Sequence, residues 1–357
     1  MPSENPKVSY SVVIPAYNAS GTLANAIESA LAQTVIPVEI VVVDDGSSDD
    51  TSAISENYAP RIRTIRQSNA GPGAARNRGI LETTSEWVAF LDADDSWVPR
   101  KMERQLVMAS IPEAGVIHAT GTQIHSDNNR FAPSRVTFDD MWRANCITLS
   151  SAIVRRVAID SVGGFDEHRD LIGVEDRNLW LRIAASHWVI LTWPENLVWY
   201  TPAPGNLSSQ EARFARSALA NFRSIGAKLG LDPGVIRRKS LDIRIEYGRN
   251  LLNGRDLRSA RALLSGATLF RSTQAFPLWV ATFIPTKILD LRRRLMDLRR
   301  KKETASQAIE PVRDAVTSLS FRPFFIEDKQ LRPNSIDTDK ERDADKVEKC
   351  EPSPIEE

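Results

Sequence analysis

The chain is poor in cysteine, holding only Cys146 and Cys350 among its 357 residues. Two cysteines cannot build a disulfide framework, and they lack the paired spacing of a zinc site; a reducing compartment and no structural metal follow. Charge bias is absent too. Lys plus Arg (46) equal Asp plus Glu (46), which removes the positive field of a dedicated nucleic-acid binder, so no nucleic-acid partner is expected. Histidine is scarce, and His118, His125, His168 and His187 fall at no ligand spacing, so none is assigned a metal role. The opening MPSENPKVSY has no apolar signal-peptide core, which makes a cytoplasmic location the expectation. In the C-terminal third, the apolar stretch FPLWVATFIP (276–285) is broken by two prolines and falls short of the roughly twenty residues that span a bilayer. What is present is a 42% hydrophobic content, enough for a substantial core in one large domain or two smaller ones.

The first hundred residues alternate between strand and helix patterns. SYSVVIP (9–15), VEIVVVDD (38–45), RIRTIRQ (61–67) and WVAFLD (87–92) read as strands. The second is a near-continuous apolar run, as when both faces of a parallel sheet are covered. Between them lie helix patterns over 20–33, with Ser20 as N-cap, over a short segment after SSDD, and over GPGAARNRGILE (71–82). The alternation predicts an α/β fold with a doubly wound, mostly parallel sheet. Further on, 114–126 reads as a strand, 148–167 as a strand, short helix and glycine turn, 175–186 as a helix with Leu179 and Ile183 on one face, and 187–201 as one or two strands. From 211 the pattern turns helical, with 254–270 as a helical pair, and after 303 it loses periodicity in a charged stretch expected to be disordered.

Ligands of such sheets sit beyond the carboxyl ends of the strands. Here the four strand ends run into PAYNAS, DDGSSDDT, QSNAGPGAARN and DADD. Each alone is an ordinary turn composition; together they point polar groups at one edge. Asp92, Asp94 and Asp95 repel one another unless a cation or hydrogen-bond donors neutralise them. Mg²⁺ or Mn²⁺ suits such hard oxygens, and an extended strand end would put Asp92 and Asp94 on one side. A solvated acidic turn is the competing reading of these three residues. In the third loop, Gly71 and Gly73 let the backbone approach a ligand, and the helix that follows favours an anion. Arg76 matches a phosphate or a base oxygen, or else an exposed helix position.

The ordered series VVIPAYNAS, VVVDDGSSDDT, NAGPGAARNRG and VAFLDADD, followed by GGFDE and EDRNLWLRIA, resembles the family-two glycosyltransferases, which have the A-type glycosyltransferase fold. The resemblance spans about residues 8 to 208. It implies an inverting, metal-dependent transfer of a sugar from a nucleotide-diphosphate donor to an acceptor hydroxyl, in polysaccharide, glycolipid or other glycoconjugate synthesis. Carried onto this chain, it implies that Pro15, Ala16, Tyr17 and Asn18 line the base and ribose site. Asp44 or Asp45 would contact the base edge, while Asn69, Gly71 and Arg76 continue the pocket. Asp92 would meet the ribose or the metal's water shell, and Asp94 would ligate Mn²⁺ or Mg²⁺ in the DXD motif. Asp176 would be the catalytic base, with Glu175 supporting it or contacting the acceptor, and Asp166 of the GGFDE turn would lie on the acceptor side.

Two carboxylates in the first turn of a helix are also ordinary capping residues, and the helix dipole should keep them ionised, as a base requires. The chain departs from the family after LVWY: Thr201 and Ala203 stand where relatives often carry Arg and His, which puts the third metal ligand in question, while GNLS (205–208) remains as a loop over the donor. The resulting domain plan is a tail (1–7), a glycosyltransferase domain (8–210) with a nucleotide-binding half (8–100) and an acceptor half (101–210), a helical extension (211–302) and a terminal tail (303–357). The basic run LRRRLMDLRRKK (291–302) after the apolar 276–285 suits anionic headgroups. The expected partners are a nucleotide-sugar donor, a glycan or lipid-linked acceptor, and a membrane surface met peripherally through 276–302. A core helix followed by a solvated basic helix fits that segment as well. The competing functions are an inactive nucleotide-sugar-binding or membrane-scaffold protein and, third, a nucleotidyltransferase.

Overall fold

The computed structural model describes residues 8–120, 135–200, 210–268, 272–288 and 290. Its first part runs β1 (Tyr10–Ala16), α1 (Leu23–Leu31), β2 (Glu39–Asp44), α2 (Thr51–Glu56), β3 (Arg63–Arg66), α3 (Pro72–Leu81) and β4 (Trp87–Phe90). There follow β5 (Ser96–Trp97), α4 (Lys101–Gln105), β6 (Ala114–Thr120), β7 (Arg135–Val136), α5 (Phe138–Arg143), β8 (Ala152–Arg155), α6 (Arg156–Ser161) and α7 (Glu175–Ala184). The chain continues through β9 (Val189–Asn196), β10 (Val198–Trp199), α8 (Glu211–Lys228), α9 (Pro233–Asn253), α10 (Leu257–Thr268) and α11 (Ala275–Ala281).

Eight strands form one sheet in the order β3-β2-β1-β4-β8-β6-β9-β7, and β5 pairs with β10 in a small antiparallel ribbon. β1 is parallel to both β2 and β4, with Val13 opposite Val41 on one side and Phe90 on the other. All four residues of β4 are buried, as the apolar run requires of a strand covered on both faces. β8 is antiparallel to β4 and β6, and β7 is an antiparallel edge on β9. The mostly parallel α/β sheet is the one the sequence predicts. The chain winds from β1 outward to β3 and then returns to β4 on the other side of β1, so the crevice between the ends of β1 and β4 is the switch point where ligands bind.

Several local expectations are corrected. α1 starts at Leu23 rather than at Ser20, because Ser20 gives its N–H to Asp49 Oδ2 (3.1 Å) and Ala19 accepts the N–H groups of Thr22 and Leu23. Of the strand expected over 114–126, the described part is β6 (Ala114–Thr120), and 121–134, with His125, lie outside the described residues. By contrast, the one or two strands expected over 187–201 are found as two, β9 and β10, in different sheets. In place of a helical pair, 254–270 contributes the single helix α10.

The helices beyond Gln210 pack into the same compact unit, which runs to Ile288. Asn178 of α7 donates to Asn221 of α8 at 2.7 Å in a buried contact, and Trp142 meets Phe222 edge-on at 4.7 Å. Among the described residues no helix is long and apolar enough to cross a membrane. In α11, Pro277 sits in the first turn, where its missing N–H costs no helical bond. The basic run 291–302, the tail after 303, and Thr201, Ala203 and the loop 205–208 lie outside the described residues.

Candidate active site

A cavity of about 900 Å³ opens at the switch point. Its walls include Pro15, Ala16, Tyr17, Asn18, Asp45, Asn69, Gly71, Arg76, Asp92, Asp94, Glu175 and Asp176. Loops from Pro15 to Asp176, distant in sequence, therefore meet as the strand-end rule anticipates.

The floor is built by hydrogen bonds within the loops. Asp45 is 3% exposed, and its Oδ1 accepts from Gln67 Nε2 (2.8 Å) and the Ala70 N–H (2.9 Å), while Oδ2 accepts from the Gly71 N–H (2.8 Å). The carboxylate thus holds the loop that delivers Gly71 to the cavity. Gly71 has φ 98° and is the N-cap of α3, a left-handed conformation that any other residue would strain. Asp44 is fully buried and lies outside the cavity wall, with Oδ1 accepting from the Ser47 N–H (2.9 Å) and Arg66 3.7 Å from Oδ2. Of the expected Asp44/Asp45 pair, only Asp45 reaches the cavity. Gly73 has a different reason for its missing side chain than the approach of a ligand, because a Cβ there would lie 3.1 Å from the Asp166 carbonyl oxygen. Asn18 adopts φ 50° and accepts from the Ser48 N–H at 2.9 Å, which fixes the loop after β1.

The crowded aspartates of DADD are separated by what each one touches. β4 ends at Phe90, and Asp92 to Asp95 form a turn closed by the Asp95 N–H on the Asp92 carbonyl (3.0 Å), so the extended geometry expected for Asp92 and Asp94 is replaced by a turn. Asp92 Oδ1 accepts from Arg76 Nη2 at 2.8 Å. Asp95 is buried and accepts from the Ser150 hydroxyl, whose oxygen in turn accepts the Asp92 N–H at 3.0 Å. Asp94 stays at the cavity wall.

Arg76 is 5% exposed and joins the two halves. Its Nη1 donates to Glu175 Oε1 at 2.6 Å, and the guanidinium lies 5.5 Å from the centre of the Phe165 ring. Burial pulls the Arg76 pKa down, but Asp92 and Glu175 outweigh it and hold the guanidinium well above its ordinary range. The second oxygen of Glu175 accepts the Gly173 N–H at 2.6 Å, so both Glu175 oxygens are engaged by the chain.

Asp176, one residue on, is half-buried at the wall, and its Oδ1 accepts the Arg177 N–H (2.6 Å). Burial and then the neighbouring Glu175 charge push its pKa up to about 7. Desolvation and like charge thus oppose the ionised form that the helix dipole favours. Asp166 lies outside the cavity wall, 2.8 Å from Lys228 Nζ, and burial is offset by Lys228 so that its pKa falls. The GGFDE turn is held by Asn77, whose side chain pairs with both the N–H and the carbonyl of Phe165. His118 is buried in β6 with its pKa pushed down to about 4 by burial, next to Thr192 Oγ1 at 2.9 Å.

The sequence reasoning missed Ser150, Ile172, Tyr200 and Arg169. Arg169 donates to the Asn69 carbonyl at 3.0 Å and lines the cavity. No sequence pattern marks it, since this partner is backbone a hundred residues away. The donor set fits one divalent ion: the Asp92 and Asp94 carboxylates offer hard oxygens on one wall, a set that would leave the remaining positions of Mg²⁺ or Mn²⁺ to water and phosphate. Among the described residues no cluster of three or more His, Cys, Asp or Glu side chains is poised to hold a metal ion unaided.

Comparison with known proteins agrees with this geometry. Residues 11–163 match Glycosyl transferase family 2. The chain is 44% identical over 118 residues to the succinoglycan biosynthesis protein ExoO of Rhizobium meliloti (strain 1021), a match covering 32% of each chain. The matched stretches span about a third of the curated relatives' length. The fold is similar to S. aureus TarS 1-349 in complex with UDP-GlcNAc (TM-score 0.53, 20% identity, 77% of this chain and 79% of that one). It is also similar to the mannosyltransferase PcManGT from Pyrobaculum calidifontis in complex with GDP-Man and Mn²⁺ (TM-score 0.52, 21% identity, 76% and 78%). The sheet order, the strand-end cavity and the family match over residues 11–163 agree with one another, and the fold is that of the A-type glycosyltransferases.

Proposed function

We propose that this chain transfers a sugar, with inversion at the anomeric carbon, from a nucleoside-diphosphate sugar to an acceptor hydroxyl in polysaccharide or other glycoconjugate synthesis. The observation that carries the reading is the convergence of Asp92, Asp94, Arg76 and Asp176 on one cavity beyond β1 and β4. The similar fold of PcManGT with GDP-Man and Mn²⁺, and the succinoglycan role in ExoO's name, support it.

In this reading Pro15 to Asn18 and Asp45 bound the nucleoside end, and the α3 N-terminus at Gly71 faces the phosphates. Asp92 and Asp94 would hold Mn²⁺ or Mg²⁺, which when bound offsets the charge of the departing diphosphate. Asp176 takes the proton of the acceptor hydroxyl as its oxygen bonds to the anomeric carbon. The bond from that carbon to the diphosphate oxygen breaks at the same time, so no covalent intermediate forms. A carboxylate with a pKa near 7 is both partly ionised and basic enough at neutral pH, which is what a base requires. Arg76 and Glu175 act as positioning residues that lock the two halves together around it.

A second reading, a nucleotide-sugar binder of low turnover, is favoured by the absence among the described residues of a third gathered metal ligand. Peripheral contact with the cytoplasmic face of the membrane is part of the proposal, carried by the exposed Phe276, Val280, Phe283 and Ile288. Incubating the purified protein with Mn²⁺ and a panel of sugar donors tests the two functional readings. Release of nucleoside diphosphate that disappears in Asp94→Asn supports transfer, and donor binding without release supports the binder.

A further inference from the structure

A second cavity of about 740 Å³ lies beside the first, walled by α8, α9, α10 and the turn at 169–171. Six arginines line it: Arg169, Arg213, Arg216, Arg223, Arg244 and Arg258. Asp170 is the one carboxylate on its wall. Arg213, Arg216 and Arg223 recur at helical spacing and so share a face of α8. Among the described residues none of the six arginines is in an ion pair. Solvated basic helix faces usually intersperse carboxylates and present lysine as readily as arginine, whereas this wall gathers guanidinium groups from four separate elements in a concavity.

The fold also makes room for one of these groups. Gly266 of α10 sits against Arg244, and a Cβ there would lie 2.6 Å from its Cζ. Arg244 donates to the Leu263 carbonyl at 3.1 Å, and burial, then Arg223, lower its pKa. Two like charges are thus kept close without a counter-ion, a cost that an incoming anion would relieve. Arg169 and Arg213 line both cavities, so a molecule held by the arginines lies alongside the site of transfer.

We propose that this arginine cleft binds a phosphoryl group carried by the acceptor, and so presents the acceptor's hydroxyl to the first cavity. The inference rests on the glycosyltransferase reading. Planar guanidinium forks pair bidentately with phosphate oxygens, which explains the exclusive use of arginine. The phosphate has two sources, a soluble phosphorylated glycan or a lipid diphosphate, and both present the same oxygens.

The test is titration calorimetry with inorganic pyrophosphate in metal-free buffer, on the wild type, the double variant R216Q/R223Q and D94N. The α8 arginines are exposed, and near-wild-type thermal unfolding of R216Q/R223Q establishes that it folds. Pyrophosphate is expected to bind the wild type and D94N alike and the double variant about tenfold more weakly, the loss of two charge-assisted contacts. Farnesyl diphosphate in micelles separates the sources: markedly tighter binding than pyrophosphate supports a lipid acceptor, and equal binding supports a soluble one. No pyrophosphate binding to the wild type, or equal binding to the double variant, overturns the proposal. So does loss of sedimentation with phosphatidylglycerol vesicles in the double variant while its pyrophosphate affinity stays unchanged. A nucleoside diphosphate with Mn²⁺, titrated in parallel into R216Q/R223Q, reads the first cavity with the cleft weakened. Its failure overturns the transfer reading, and its success with pyrophosphate failing overturns only the cleft.

Discussion

Arg76 Nη1 lies 2.6 Å from Glu175 Oε1, a buried contact between residues 99 positions apart that ties α3 to the start of α7. Through Nη2 the same guanidinium reaches Asp92, so one side chain joins the loop after β4 to the helix carrying Asp176. Removing one partner of a buried pair leaves the other uncompensated, typically at about 3–5 kcal/mol. Arg76→Ala is expected to lose about that much in urea denaturation, and adding Glu175→Gln should return part of it. An Arg76→Ala protein as stable as the wild type would show that the contact does not form.

Asp176 sets a pH dependence. Its pKa, raised to about 7 by burial and Glu175, leaves it mostly protonated below neutrality and unable to accept a proton. The rate of transfer should therefore rise with pH and level off above about 8, one unit beyond that pKa. Asp176→Asn should lose about a hundred- to ten-thousand-fold in rate while keeping its affinity for nucleoside diphosphate. A pH-independent rate in the wild type, or a variant that keeps its rate, removes Asp176 from this role.

Asp45 gives a prediction about loop order. Its buried carboxylate accepts three donors from the loop leading to Gly71, and Asp45→Ala leaves two backbone N–H groups and the Gln67 amide without that partner. The expected cost is about 3 kcal/mol of stability, together with weaker nucleoside diphosphate binding, both read from melting curves with and without ligand. Unchanged ligand-induced stabilisation would show that Asp45 does not order the cavity floor.

Lys101 is fully buried, with its Nζ 4.3 Å from the centre of the Trp97 ring and 3.7 Å from Met102 Sδ. Burial lowers its pKa well below the ordinary lysine value. Between the lowered folded value and the unfolded one the unfolded chain binds a proton that the folded chain does not, so stability should climb with pH up to about 10.4, where the unfolded lysine titrates. Lys101→Met should flatten that rise and stabilise the protein at pH 7, as guanidinium melts at several pH values would read. An identical pH profile in the variant contradicts the burial of a neutral amine.

Much of this fold is legible because its central strands are short apolar runs ending in polar loops: WVAF is buried on every residue, and the crossover from β3 back to β4 follows from strand-helix alternation. The roles of the polar residues are less legible, because they depend on partners distant in sequence. Asp45 reads as a ligand contact, yet three of its acceptor positions are filled by its own chain; Asp95 reads as one of three crowded carboxylates, and it turns inward to Ser150, 55 residues on. Gly73 reads as a cradle for a ligand and instead admits the Asp166 backbone. Hydrogen bonds of this kind leave no period in the sequence. The arginine cleft is hidden for the same reason, since its charges come from helices whose packing no local pattern specifies.

The account turns on the cavity beyond β1 and β4 as the seat of a nucleotide diphosphate and its metal. A crystal of the protein grown with nucleoside diphosphate and Mn²⁺, measured at the manganese absorption edge, tests this most directly. An anomalous peak beside Asp94, with the diphosphate between it and Gly71, is the predicted result; a nucleotide bound elsewhere, or manganese away from Asp92 and Asp94, would contradict it.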